Sequence, residues 1–422
     1  MERIDRPQAP YRKWLVAVGC FLMIFLGLGF CSSNKGLYLG AITEALNIKR
    51  SLFALQDTLR FTVTAIVNMF FGALVNKLGT RKMIIIGFSG YVAYLAISIF
   101  AEHIAWFYVA GCLLGLGTAF GSTTMVSHLV GLWFPEKRGT VSGAIMCANG
   151  LGGAIAAQII TPLIDGSLFG YRKAYMIALV IAAVAGILVT ILVTEPKGVK
   201  AAVGKKKSKG KQWVGISFQE AVRKPYFYVA IICVCLTGMA LQGIHGIAAT
   251  HIKDVGVDST FKSLVLSTAS LVLIGSKFLA GIGYDKLGLR KTLLFCQVCG
   301  VIAFTCLAYC ANTGVGRVLA MSYGVLSSLA LPLETVMVSL IVADLFGEKD
   351  FSKLLGLFVG ANYAGYAIGG FVYNLVFDLT GSYVSLLLIT SGMMVVIAVV
   401  FQLIITAANK VHDRVMAAQI SE

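Results

Sequence analysis

Apolar residues fall into twelve long runs, most of them near or above the roughly 20 residues that a helix needs to cross a bilayer. They lie near 14–40, 52–75, 83–101, 104–133, 139–164 and 174–194, then near 226–250, 261–284, 291–310, 315–345, 353–377 and 383–407. Short polar segments separate them, so the pattern predicts an all-α chain of twelve spanning helices, numbered here as spans 1 to 12. The longest polar interruption runs from Glu195-Pro196 to Lys224-Pro225 and divides six runs from six. The expected organisation is a bundle over 1–194, a linker over 195–225, and a second bundle over 226–422 with a short tail. The segment from Ile216 to Lys224 has the length of a short interfacial helix.

The two sets of six runs echo each other. Residues 72–82 read Gly-Ala-Leu-Val-Asn-Lys-Leu-Gly-Thr-Arg-Lys and residues 281–291 read Gly-Ile-Gly-Tyr-Asp-Lys-Leu-Gly-Leu-Arg-Lys. Gly72, Lys77, Leu78, Gly79, Arg81 and Lys82 thus recur as Gly281, Lys286, Leu287, Gly288, Arg290 and Lys291, half a chain apart. Each copy joins two apolar runs, which makes it a tight turn whose glycines permit close backbone approach and whose Arg-Lys pair stays out of lipid. A second echo sets Trp133-Phe134-Pro135-Glu136-Lys137-Arg138-Gly139 before span 5 against Leu345-Phe346-Gly347-Glu348-Lys349 before span 11. It places Asn149 and Asn362 about ten residues along equivalent helices. The chain reads as a duplicated membrane protein.

Composition and charge sharpen this picture. Of 422 residues, 58% are hydrophobic and 13% charged, and the mean hydropathy is +0.85, more apolar surface than water tolerates. The net charge of +16 would suggest nucleic acid in a soluble domain, but here the charges belong to loops. Counted loop by loop, 25 of the 35 Lys and Arg lie on the side that carries both termini. The positive-inside rule makes that side cytoplasmic and excludes nucleic acid as the partner. The run Lys205-Lys206-Lys207-Ser208-Lys209-Gly210-Lys211 reads either as a contact with anionic headgroups or as a solvated, topology-setting linker. Ten cysteines are scattered through apolar segments without the spacing of a zinc site or a disulfide framework. No nucleophile–base pairing or metal-ligand spacing supports an enzyme, and no cofactor is expected.

An ionisable residue at membrane depth costs a few kcal/mol and needs a reason to be there. Lys277 lies deep in span 8 among apolar residues and is expected to face the bundle interior. Lys35, near the far end of span 1, reads either as a second substrate cation or as a lysine snorkelling to the interface. Glu334 is the one acid well inside span 10; it reads as a proton carrier, as a neutralising partner for a lysine, or as a structural ion pair. Asp57 and Arg60 stand one turn apart in span 2 and read as gate or structure. Gln242 and His245 share a face of span 7. Glycines crowd spans 5 and 11, where small residues let helices pack closely and slide.

These residues resemble the major facilitator superfamily. Its loop 2–3 motif is matched by Gly72, Gly79, Arg81 and Lys82, with Asn76 in place of the family's acid and Asp285 keeping it in the second copy. Within the superfamily the chain is similar to the monocarboxylate transporters and their bacterial relatives, including the oxalate:formate antiporters. The resemblance rests on Trp133 to Gly139 followed by Ser142-Gly143, and on a span-1 lysine, Lys35, within Ser33-Asn34-Lys35-Gly36-Leu37-Tyr38. Lys277 stands where both groups carry Arg, Leu273 where monocarboxylate transporters carry an acid, and Asn362 at the second basic residue of the oxalate exchangers.

The resemblance implies a secondary transporter in the cell membrane that works by alternating access. Its expected cargo is a small organic anion, with monocarboxylate:proton symport first, carboxylate exchange second and a non-transporting sensor a distant third. The expected substrate residues are Lys35, Tyr38, Asn149, Gln242, His245, Lys277 and Asn362, with Glu334 coupling the proton. Asp57, Arg60, Arg81, Lys82, Asp285, Arg290 and Lys291 are expected to govern the conformational change. Protons and membrane lipids are the remaining partners, and a monomer is the expected working unit.

Overall fold

The computed structural model describes residues 11–32, 38, 41–43, 45–48, 50–165, 169–194 and 215–421. Among them ten helices are long and apolar enough to span a membrane, and a bent pair, Leu55–Met69 with Phe71–Leu78 meeting at 64°, makes an eleventh span. One of the ten, Leu264–Ala308, is 45 residues long and is broken by non-helical backbone at Gly288, so it supplies spans 8 and 9. This all-helical arrangement has the two-bundle, twelve-span architecture that the hydropathy pattern predicts.

In order, span 1 is Arg12–Ile24 continued by a π-helical turn, Phe25–Phe30, and span 2 is Arg50–Met69 with Phe71–Leu78. Span 3 is Thr80–Phe100, span 4 is Ile104–Phe120 with Thr123–Trp133, span 5 is Arg138–Met146 with Ala148–Asp165, and span 6 is Gly170–Leu192. The second half runs through Pro225–Asp254 as span 7 and Ser259–Ala308 as spans 8 and 9. Gly314–Ala330 with Val336–Phe346 forms span 10, Phe351–Thr380 span 11 and Val384–Ser421 span 12. Spans 4 and 10, equivalent under the duplication, are both interrupted, span 10 by the 3-10 turn Leu331–Glu334. Pro332 lacks an amide hydrogen, which weakens the helix there.

The duplication is visible in backbone angles and in packing. Gly79 has φ 78° and ψ 155°, and Gly288 has φ 80° and ψ 170°, a conformation essentially confined to glycine, so both motif turns are built alike. In the first half Gly29 of span 1 abuts the Asn149 carbonyl; in the second, Gly238 of span 7 abuts the Asn362 carbonyl. Across the halves, Gly143 of span 5 meets the Lys277 carbonyl of span 8, and Gly356 of span 11 meets the Asn68 carbonyl of span 2. Asn68 is therefore the first half's counterpart of Lys277.

Before span 7, the short helix Phe218–Val222 starts at Ser217 through a capping box with Glu220 and ends at the turn before Pro225. Gly215 bridges to Gly347, the Ile216 amide donates to the Phe346 carbonyl at 3.0 Å, and the Phe218 amide donates to Asp350 at 2.8 Å. This strap fastens the end of the linker to the loop between spans 10 and 11. The lysine-rich run Lys205 to Lys211 lies outside the described residues.

Candidate functional site

The two halves meet tightly at the end of the molecule that carries the basic turns. Asp285 accepts hydrogen bonds from the Gly139 amide at 3.2 Å and the Thr140 amide at 2.7 Å, so a carboxylate from one half caps the helix that opens span 5 in the other. Negative charge at a helix N-terminus is stabilising. Buried Arg138 stacks over the Phe351 ring at 3.8 Å and reaches Glu348 at 3.8 Å, again across the halves. Ser352 bonds to His128 at 2.7 Å. Asn76, the counterpart of Asp285, is exposed and makes no such cap to span 11.

Deeper in, the seam ends. Among the described residues its deepest cross-half contacts include the Cys147 thiol with the Ile274 carbonyl at 2.8 Å, Gly150 against Ile274, and the Phe61 ring against Tyr363 and Tyr366 at 6.1 and 5.4 Å. Beyond them toward the other end, the faces that would continue the seam stand open: Gln158 on span 5, Ser270 and Leu271 on span 8, and Gly370 on span 11, whose added Cβ would meet nothing within 4 Å. His245 has exposed surface although protein surrounds it, as befits a side chain on a cavity wall, and Gly246 beside it also faces open space. Among the described residues the seam is thus closed at the basic end, and its continuing faces are exposed toward the opposite end. If the Asp285 cap holds the seal, Asp285→Asn, which cuts its charge and accepting capacity, should favour the reverse arrangement by about 1–3 kcal/mol. Alkylation rates of single cysteines placed on each side of the seal would report the shift; unchanged rates would deny Asp285 this role.

At the floor of the cleft the break in span 10 exposes backbone, and span 11 completes it. The Glu334 carbonyl, freed by the 3-10 turn, accepts from Asn362 Nδ2 at 2.9 Å and from the Tyr366 hydroxyl at 3.3 Å, while Asn362 Nδ2 also lies 2.9 Å from the Tyr366 hydroxyl. Three buried polar atoms here have no protein partner: Glu334 Oε2, Thr335 Oγ1 and Asn362 Oδ1. Lys277, 3% exposed, interacts electrostatically with Glu334 and with the Cys147 thiol, but no ion pair of 4.0 Å or less joins it to Glu334. A buried cation and a half-buried acid that form no ion pair, beside acceptors without protein partners, make a polar cluster whose hydrogen-bonding capacity the protein itself does not fill, whereas buried polar groups are almost always paired.

The other expected site residues distribute around this point. Asn362 is 2% exposed and held by its own half; Asn149 is half-buried and packs toward Gly29. Gln242 is half-buried one turn from His245. Tyr38 is instead stacked on Tyr175 at 4.2 Å, inside a tyrosine cluster with Tyr94 and Tyr171. Lys35 lies outside the described residues. Arg60 is buried, 3.5 Å from Asp57 and bonded to Ser32. Arg81, Lys82, Arg290 and Lys291 are all exposed at the basic end, where Arg290 holds Gln402 at 2.8 Å. Tyr363, Tyr366, His128, Ser352 and Glu348 were not among the expected site residues. For Glu348 the echo with Glu136 was the available signal; the others have none in a single sequence.

Known proteins give this arrangement its context. The chain is 25% identical over 309 residues to the sialic acid transporter NanX of Escherichia coli, a match covering 69% of each chain. It is 26% identical to monocarboxylate transporter 12-B of Danio rerio, over 39% of this chain and 34% of that one. Two crystal structures of the fucose:proton symporter FucP of E. coli, one in the outward conformation, superpose with a TM-score of 0.68 each, at 18% and 17% identity, over 92% of this chain and 98% of theirs. The sequence profile of the Major Facilitator Superfamily matches residues 20–249 and 230–415, nearly the whole chain, and the chain belongs to this family of membrane transporters.

Proposed function

We propose that the protein is a secondary transporter of an organic anion, coupled to protons and working by alternating access between its halves. The observation that carries this reading is the pair of opposite charges inside the bundle, buried Lys277 and half-buried Glu334, held apart beside acceptors without protein partners. A carboxylate can take Lys277 only if the negative charge of Glu334 gives way, and a proton on Glu334 achieves that. Anion and proton then enter together and the floor stays electrically balanced, which limits the cost of moving charge through low dielectric. The basic end is cytoplasmic by the positive-inside rule, so the cleft opens outward. Two named cargoes among the relatives are acids, sialic acid and monocarboxylates, and the FucP neighbour is a proton symporter. The first half of the chain, the linker and the second half act as the two rocking bodies and their tether.

Uptake of a panel of labelled carboxylates into proteoliposomes tests this directly. An inward proton gradient of one pH unit, worth about 1.4 kcal/mol per proton, should concentrate a transported acid up to about tenfold. Transport that ignores the gradient would remove proton coupling and leave exchange; a panel with no carboxylate transported would remove the anion.

A further inference from the structure

Among the described residues the first half buries Arg60 and Arg138 and the second half buries Lys277; Arg138 belongs to the seal, and Arg60 and Lys277 lie at different depths above it. Lys277 has Asn68 as its counterpart in the first half, and Arg60 lies two helical turns along span 2 from Asn68, toward the open end. At 1.5 Å per residue this offsets the two cations by roughly 12 Å along the bundle. Arg60 is 5% exposed, yet its guanidinium is incompletely met: Nη2 bonds to Ser32, Nη1 reaches Asp57 only at 3.5 Å, and Nε is buried with no partner. A buried guanidinium that leaves a donor unmet is costly, and its five N–H groups suit more acceptors than these.

Its position is also rigidly built. Gly115 of span 4 lies so near that an added Cβ would come within 2.5 Å of the Arg60 carbonyl, and Gly111, one turn away, meets Gln56 at 2.7 Å. The guanidinium lies over the Phe61 ring at 4.8 Å, and that ring packs on Tyr366, whose hydroxyl touches the Glu334 carbonyl. The Tyr363 hydroxyl lies within electrostatic range of both Arg60 and Glu334. Arg60 is therefore linked from the opposite half to the Lys277 and Glu334 pole through the Phe61 and Tyr366 rings.

Resting on the anion reading above, we infer that Arg60 is a second anchor, which takes a neutral hydrogen-bond acceptor on the cargo while Lys277 takes the carboxylate. Asp57 beside it already supplies negative charge, so a hydroxyl or carbonyl fits there better than a second carboxylate. A cargo that bridges anchors at different depths must extend over several atoms, and six-carbon acids are the test length. The cargo class is accordingly a hydroxylated, sugar-acid-like monocarboxylate rather than a short or plain fatty acid. A site built to bind a hydroxyl rejects the analogue that lacks it, because its own donors are then left unmet.

Gluconate, hexanoate and adipate, six-carbon acids that differ in hydroxyls and in a second carboxylate, separate the possibilities in proteoliposome uptake. The wild type should prefer gluconate to the other two by at least about tenfold, the scale of one charge-assisted hydrogen bond. Arg60→Gln should erase that preference, and Arg60→Lys should keep part of it. Ser32→Ala, which keeps the cation, should retain the preference, and it serves where Arg60→Gln fails to insert. A wild type that takes hexanoate or adipate as well as gluconate, or an Arg60→Gln variant that keeps the preference, overturns the second anchor while leaving Lys277 untouched. If none of the three is carried while other carboxylates of the panel are, the second anchor falls and the anion reading stands; if no carboxylate at all is carried, or Lys277→Ala carries them normally, the anion reading falls and this inference with it.

Discussion

Lys277→Ala is expected to lower the affinity for an anionic cargo by about a hundredfold or more. The variant removes the deepest cation of the cleft floor and leaves Glu334, whose Oε2 already lacks a protein partner, without its compensating charge. Breaking a buried pair from one side costs about 3–5 kcal/mol, and each 1.4 kcal/mol is tenfold in binding. Lys277→Arg keeps the charge but adds volume where the backbone is pressed against Gly143, 2.6 Å from that glycine's would-be Cβ, so partial activity is expected. Binding measured on detergent-purified protein, with thermal unfolding as the control for folding, distinguishes a lost anchor from a lost fold. Near-normal affinity in a folded Lys277→Ala protein would remove the lysine from the site.

The second large effect concerns coupling. Glu334→Gln keeps the shape of the protonated acid and can never release its proton. In a symporter it should abolish accumulation driven by a pH gradient, from up to about tenfold per unit to none, because the gradient no longer enters the cycle. Exchange of labelled for unlabelled cargo should survive, since it requires only the loaded carrier to reorient. Asn362 bonds to the Glu334 backbone carbonyl at 2.9 Å, so the substitution leaves that support of the span 10 break in place even where it alters the contact of the Tyr366 hydroxyl with the side chain. Equal loss of both fluxes would mark Glu334 as structural instead.

Much of this molecule could be read from its letters, and the limits have physical causes. The spans were legible because hydrocarbon demands length and apolarity locally, residue by residue. The pairing of the halves was legible because Gly72 and Gly281, or Gly79 and Gly288, sit at matched positions, and the structure gives the latter two the same rare backbone angles. The cross-half seam was only partly legible. That His128 would meet Ser352, or Phe61 the tyrosines of span 11, depends on how two bundles face each other, which periodicity within one helix does not encode. Arg60 and Asp57 were expected as a gate because they stand one turn apart; the glycines of span 4 that pin Arg60 belong to a distant stretch of chain. Tyr38 was grouped with Lys35 by proximity in sequence, whereas ring stacking ties it to Tyr175 on span 6.

The unequal treatment of the two motif turns sets an order of events. Between spans 5 and 8 the seal combines close glycine contacts with the attraction of the Asp285 carboxylate for a helix end. Between spans 2 and 11 it consists of contacts at Gly72, Gly356 and Gly360 and of the Phe61 ring on Tyr363 and Tyr366, with Asn76 contributing no cap, while Arg138 and His128 hold the start of span 11 from spans 5 and 4. Dispersion is lost once surfaces part by about an ångström, whereas a charge still feels a helix end several ångströms away. The two seams therefore fail at different separations. Once Arg138 releases Glu348 and His128 releases Ser352, spans 2 and 11 should let go while spans 5 and 8 still hold, so the halves swing about an off-centre pivot, and the passage to the cytoplasm begins as a side slit.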